Sequence, residues 1–280
     1  MPREPGLSLN ERSFILQALQ ENIRIDGRSF DAFRDLDLNF GDEVISRISA
    51  EVAKPFPDRL CDGIFTITTE LSPVASPAFE VGRQTDQEVI LSRTLEKAIR
   101  RSGALDTESL CIIAGQKCWS IRADVHLLDY DGGLVDASCI AVIAALQHFR
   151  RPDVSIEGED VTVHTMEERV PVPLSLLHHP ICVTFSFFLG GDVVLIDATL
   201  QEELLRNGEL IIAVNRHGEV CQIAKLGGVA IEALTLLNCA NVALTKAQWI
   251  TRFISSKLEE DLRAKTPGSL LAELSAENER

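Results

Sequence analysis

Gly132 and Gly133 stand side by side between an alternating strand pattern and a long apolar run, in the stretch Tyr130-Asp131-Gly132-Gly133-Leu134-Val135-Asp136-Ala137-Ser138. Glycines reach positive φ and let a ligand or another piece of chain come close. Backbone N–H groups at the start of a helix also attract phosphate. The turn therefore has the components of an anion site. Asp136 and Ser138 suit the helix's first turn, where their oxygens can accept from orphaned N–H groups. Ser138 after Asp136 also has the parts of a nucleophile, but its small-residue surroundings favour capping. A second set of candidates is cationic: Arg93, Lys97, Arg100 and Arg101 share one helical stretch, Arg150-Arg151 end another, and Arg24 and Arg28 flank an Asp-Gly turn. Such groups neutralise nucleic-acid phosphates, or form a solvated face balanced by nearby acids. Arg28 and Arg122 read as ion-paired. Asp124 and His126 alternate on one strand face and could pair as acid and base, with packing or an interface as the other reading. None of the six histidines has a partner at metal-site spacing, and the seven cysteines form no C-x-x-C pair. Reduced core thiols are expected, with no metal and no cofactor.

The elements that position these residues follow from periodicity. Trp119, Ile121, Ala123, Val125 and Leu127 fall on one face of a strand covered on one side. The apolar run 137–146 is too long for a strand and reads as a helix buried nearly all round. Earlier, Ser8-x-x-Glu11 is a capping box, and Phe14, Ile15, Ala18 and Leu19 recur at helical spacing. Asp26-Gly27-Arg28 is a turn leading to an extended segment through Phe30 and Phe40. Strands are predicted at 45–52 and 64–71, stopped by Pro73 and Pro77. A helix is predicted at about 85–101 with the four basic residues off its apolar stripe, then a hairpin of 109–114 with 118–128. Residues 154–173 read as a loop-rich bridge. Strands at 181–188, 193–196, 210–214 and 220–223 follow, and Gly227-Gly228 precede a helix of about 229–262. Each half gives hairpins, a double glycine and a helix, so the fold class is α+β with two related β-α-β halves. The divisions are an N-terminal helical extension at 1–24, a first half at 25–153, a second half at 154–263 and a tail at 264–280.

A formal charge of −15 argues against gripping nucleic acid over the whole surface, leaving local basic clusters to do so. Composition is ordinary for a globular chain, at 45% hydrophobic and 25% charged. The opening residues carry no secretory signal, and no run approaches the ~18 apolar residues a membrane span needs. An intracellular, soluble protein is expected, with no membrane partner.

Several motifs occur in order: Asp26-Gly27-Arg28, Pro77-Ala78-Phe79-Glu80, Asp106-Thr107-Glu108-Ser109-Leu110, Ile121-Arg122-Ala123-Asp124-Val125-His126-Leu127, Asp131-Gly132-Gly133 and Phe149-Arg150-Arg151-Pro152-Asp153. Together they resemble the RNase PH family over nearly the whole chain. The resemblance implies an RNase PH-like fold and, most closely, a ring subunit of the eukaryotic RNA exosome. It implies a six-membered ring of other RNase PH-like subunits, RNA-binding cap subunits, associated catalytic exoribonucleases and single-stranded RNA as partners, in nucleus, nucleolus and cytoplasm. Active members cleave RNA with phosphate as nucleophile, using arginines to hold the anion and carboxylates for the chemistry. Where they carry a threonine and a phosphate-binding arginine after the double glycine, this chain has Leu134 and Val135. Gln87 is the nearest match to a second phosphate arginine. Asp197, Glu202 and Glu203 keep acidic character where active members have catalytic acids, and Lys225-Leu226-Gly227-Gly228 lacks the family's hydroxyl residue. The expected site is therefore degenerate around Leu134, Val135, Asp197 and Gln87, since an aliphatic side chain cannot replace a guanidinium. The resemblance also implies a shortened hairpin between Gly41 and Val44. RNA contacts are expected from Arg93, Lys97, Arg100 and Arg101. The alternative is an active phosphate-dependent 3'-to-5' exoribonuclease with a site shared with a neighbouring member.

Overall fold

The capping box forms as its residues dictate. Ser8 Oγ accepts from Glu11 N–H at 3.2 Å, and Ser8 N–H donates to the Glu11 carboxylate at 2.8 Å. Helix α1 (Leu9–Gln20) starts there and buries Ile15 and Leu19. The computed structural model describes residues 6–41, 46–77, 79, 85–158, 160–165, 168–228 and 230–265. The shortened hairpin expected between Gly41 and Val44 falls on residues 42–45, and Ala78 and Glu80 of the second motif are also outside the described residues. The stretch from Phe30 to Phe40 packs Phe33, Leu36, Leu38 and Phe40 on the core without joining a β-ladder.

The first sheet is built from β1 (Ser46–Ala53), β2 (Ile64–Leu71), β3 (Cys111–Ile113) and β4 (Lys117–Leu127). Between β2 and β3 lies α2 (Asp86–Leu95), which widens into a π turn, Glu96–Arg100. β4 is central: antiparallel to β1 from Ser46↔Val125 to Ala53↔Cys118, and parallel to β2 from Ile64↔Ser120 to Leu71↔Leu127. Its alternation puts Trp119, Ile121, Ala123, Val125 and Leu127 in the core. The strand expected at 109–114 is shorter, because Asp106 Oδ1 accepts from the Glu108 and Ser109 N–H groups and holds Glu108–Leu110 in a 3-10 turn.

Helix α3 (Leu134–His148) follows the glycines and contacts β1 and β4 of the first sheet as well as the second sheet, so one apolar core runs through both halves. After β5 (Arg150–Arg151), the expected loop-rich bridge is more regular than composition suggested. β6 (Val154–Glu157) and β7 (Asp160–Val163) pair antiparallel, and β8 (Val172–Pro173) pairs with β5. The reason is an alternation of Val154, Ile156, Val161 and Val163 around Gly158 at φ +66, weak because the hairpin leaves Ile156 and Val163 exposed.

The second sheet has the order β10-β9-β11-β12, from β9 (Ile181–Phe188), β10 (Val193–Ile196), β11 (Gly208–Val214) and β12 (Val220–Gly227), with the one-turn helix α4 (Leu200–Glu203) after β10. β9 and β11 are buried throughout. β12 continues past the expected 220–223 to Gly227. At Gly227, φ +94, an added Cβ would lie 2.9 Å from Gly208 Cα, so this glycine serves close strand pairing. Helix α5 (Ala233–Lys265) packs on β9 and β11 beside α3, starting later than the expected 229.

Candidate functional site

Both glycines of the central turn have positive φ, +79 at Gly132 and +67 at Gly133, and Gly133 is the N-cap of α3. What approaches them is this chain's own second half. A Cβ on Gly132 would collide with the Ala198 carbonyl, and one on Gly133 would lie 2.9 Å from Asp197 Oδ1. The helix-start amide is occupied as well: Gly133 N–H donates to Glu203 Oε1 at 2.9 Å. A carboxylate thus sits where the sequence allowed a phosphate.

Three arginines fasten this joint, and one, Arg34, carries no motif that would have marked it. Asp197 accepts from Arg34 N–H at 2.8 Å, from Arg34 Nη2 at 2.7 Å and from Arg28 Nη1 at 2.8 Å. Arg34 also donates to the Asp131 carbonyl at 2.8 Å and the Gly132 carbonyl at 3.2 Å, tying the turn to Asp197. Burial opposes ionisation of Asp197, but hydrogen bonds from Arg34 and the charges of Arg34 and Arg28 bring its carboxyl below the ordinary value. Arg24, with a fully buried side chain, holds Glu202 through two bonds of 3.1 and 2.7 Å and donates to the Ile196 and Asp197 carbonyls. The acids are therefore in use: Asp197 and Glu202 by arginines, Glu203 by the helix start.

Beside the joint is a cavity of about 310 Å³. Gln87, Tyr130, Leu134 and Val135 line one side; Leu200, Glu203, Leu204, Arg206 and Glu209 line the other. The structure brings Gln87, Leu134 and Val135 together there, while Asp197 lies behind the turn and is not a lining residue. The cation in the cavity is Arg206, 2.7 Å from Glu209 and 3.6 Å from Glu203. Burial raises the Glu209 carboxyl.

The capping roles expected for Asp136 and Ser138 are not what the side chains do. Gly133 caps with no side-chain bond. Asp136 turns inward and accepts from Thr184 N–H at 2.9 Å and Thr184 Oγ1 at 2.6 Å, pinning α3 to β9. Full burial pushes its carboxyl up to about 8, against the hydrogen bonds from Thr184. Ser138 Oγ is buried with no hydrogen-bond partner among the described residues. Asp124 and His126 do not pair with each other: Asp124 accepts from Arg122 at 2.7 Å and His126 lies 3.1 Å from Glu70. Arg93, Lys97, Arg100 and Arg101 are exposed, with Arg100 3.0 Å from Glu96. Cys118, Cys139, Cys182 and Cys239 are buried thiols, Cys111 and Cys221 are partly buried, and Cys61 is exposed. Among the described residues no group of three or more His, Cys, Asp or Glu is arranged to hold a metal ion, and no helix is long and apolar enough to cross a membrane.

Two sheets sharing a core through α3, with a double-glycine joint between the halves, define a class that family comparison identifies. The 3' exoribonuclease (RNase PH) family matches with its domain 1 over residues 39–152 and its domain 2 over residues 178–246, and the chain belongs to this family. Within it, the chain is 53% identical over 292 residues to Exosome complex component rrp45 of Schizosaccharomyces pombe, covering 100% of both. It is 47% identical to Exosome complex component RRP45 of Saccharomyces cerevisiae, over 100% of this chain and 99% of the yeast protein. Against the Homo sapiens protein of that name it is 44% identical, over 95% of this chain and 63% of the human one. A solved structure of the Archaeoglobus fulgidus exosome with RNA bound to the active site superposes with a TM-score of 0.74 at 27% identity, covering 86% of this chain and 96% of that one.

Proposed function

We propose that this chain is a non-catalytic ring subunit of an RNA exosome, supporting 3'-to-5' RNA processing by assembling with other RNase PH-like subunits and helping to thread single-stranded RNA toward partner nucleases. The observation that carries this is end-to-end similarity to proteins named as exosome components. The partners are ring neighbours, RNA-binding cap subunits and associated exoribonucleases, in nucleus, nucleolus and cytoplasm. The same reading divides the chain at residues 1–24, 25–153, 154–263 and 264–280. Loss of phosphorolysis by this chain is inferred from chemistry at the cavity: Val135 supplies no charge-assisted bond to phosphate, and Glu203 and Glu209 make the surroundings anionic. Arg93, Lys97, Arg100 and Arg101 are assigned to RNA backbone phosphates, read by charge and not by base edges. The test is incubation of the purified chain, alone and with a neighbouring family member, with labelled RNA and phosphate. No shortening by the isolated chain is expected, with recovery of one copy in a large hetero-oligomer from size-exclusion chromatography. Phosphate-dependent shortening by the isolated chain would overturn the non-catalytic assignment.

A further inference from the structure

The basic face of α2 and its π turn does not stop at Arg101. The chain turns at Ser102, whose Oγ lies 3.2 Å from His178 Nε2, and Leu177 N–H donates to the Ala104 carbonyl at 2.8 Å. β12 also runs against the π turn. The turn between β11 and β12 closes on the same region with a fixed shape, because Asn215 Oδ1 accepts from His217 N–H at 2.9 Å and Glu219 N–H at 3.0 Å. Arg216 and His217 are exposed at its tip, while His178 and His179 are half-buried beneath it.

In a chain of net charge −15, this concentrates cationic and protonatable groups from two halves. The acids near them are already engaged: Glu219 accepts from Asn215 Nδ2 at 2.6 Å, and Glu96 pairs with Arg100. Helical residues 93–101 alone extend about 12 Å at ~1.5 Å per residue. We propose that this face continues across the joint through His178, His179, Arg216 and His217 as one anion track, which takes the backbone phosphates of single-stranded RNA from both halves. It deepens the RNA-threading role above and rests on it.

The track has a pH signature. Burial, then the nearby positive charges of Arg216, His178 and His217, hold the His179 imidazole below its ordinary value. Burial does the same to His178 against the pull of Glu219. The charged groups facing these rings are thus Arg216, His217 and Glu219 from the β11–β12 turn, with Arg101 next to Ser102 from the π turn. A phosphate beside the rings favours their charged forms, so binding takes up protons and tightens as pH falls.

Fluorescence anisotropy with a labelled, unstructured RNA tests this on the full chain and on the chain assembled with its ring neighbours, over a salt series. The variants are Arg216→Glu with His217→Gln, on an exposed turn; Arg100→Glu with Arg101→Glu; and His178→Gln with His179→Gln. The first two are each expected to weaken binding at least about fivefold and to flatten the salt slope by about 1 per cation lost. The third is expected to abolish the tightening between about pH 7.5 and about pH 6. Loss confined to the Arg100 and Arg101 variant overturns the extended track and leaves the RNA-threading role standing. Loss confined to the Arg216 and His217 variant keeps the second-half site and overturns the helix assignment. Binding unchanged in every variant overturns both.

Discussion

Gly132 and Gly158 share positive φ, +79 and +66, but a Cβ meets the Ala198 carbonyl at the first and nothing within 4 Å at the second. Gly158→Ala should therefore cost only backbone strain, about 1 kcal/mol. Gly132→Ala adds a collision that moves the 197–200 loop, so a loss of at least ~2 kcal/mol is expected in urea denaturation. Equal losses would show that the turn is not gripped by the second half. Asp136 makes a different residue-scale prediction. Its carboxyl stands at about 8 in the fold against an ordinary 3.8. The folded state then binds more protons than the unfolded one between those values, and stability falls as pH rises through them. Asp136→Asn keeps an acceptor for Thr184 N–H and cannot ionise, so its stability should vary less across that range. His178 and His179 act in the opposite sense, their lowered values costing stability as pH falls below 6.5. Comparing the unsubstituted chain with the Asp136→Asn variant at each pH separates the two effects, and parallel curves would sink the buried-acid account.

At the scale of elements, the segment after α1 is held to the loop after β10 by Arg24 and Glu202, whose side chains are 0% and 5% exposed. Removing one partner of a buried pair strands the other's charge, and Arg24→Ala should cost about 3–5 kcal/mol. Hydrogen exchange should then speed up in both α1 and α4, and faster exchange in α1 alone would mean that the two are not coupled. This coupling was not legible in the sequence. β2, β9 and β10 were, because period-two runs of β-branched and aromatic residues bounded by Pro or Gly leave little choice. The hairpin of β6 and β7 was masked by its charges and exposed alternation. The roles of Asp136 and Arg34 were hidden for a deeper reason: Thr184 lies 48 residues from one, and Asp197 lies 163 from the other. Local spacing named the glycine turn but could not name what fills it.

For the whole molecule, the question is whether the cavity fell silent through one lost arginine or through a closed joint. If Val135 were the whole cause, Val135→Arg would restore an anion clamp facing Gln87 and Leu134. The cavity it enters already holds Glu203 and Glu209, with Arg206 between them. A new guanidinium there meets protein carboxylates before it meets phosphate. The helix-start amide of Gly133 is taken by Glu203, and Asp197 is committed to Arg28 and Arg34. All three depend on the N-terminal segment and the 197–203 loop closing over the glycine turn, so one side chain does not reopen the site. Val135→Arg, checked as folded by circular dichroism, should leave RNA intact in the presence of phosphate, alone and with its ring neighbours. Release of nucleoside diphosphates by this variant would show that the missing guanidinium was sufficient and that the joint is no barrier.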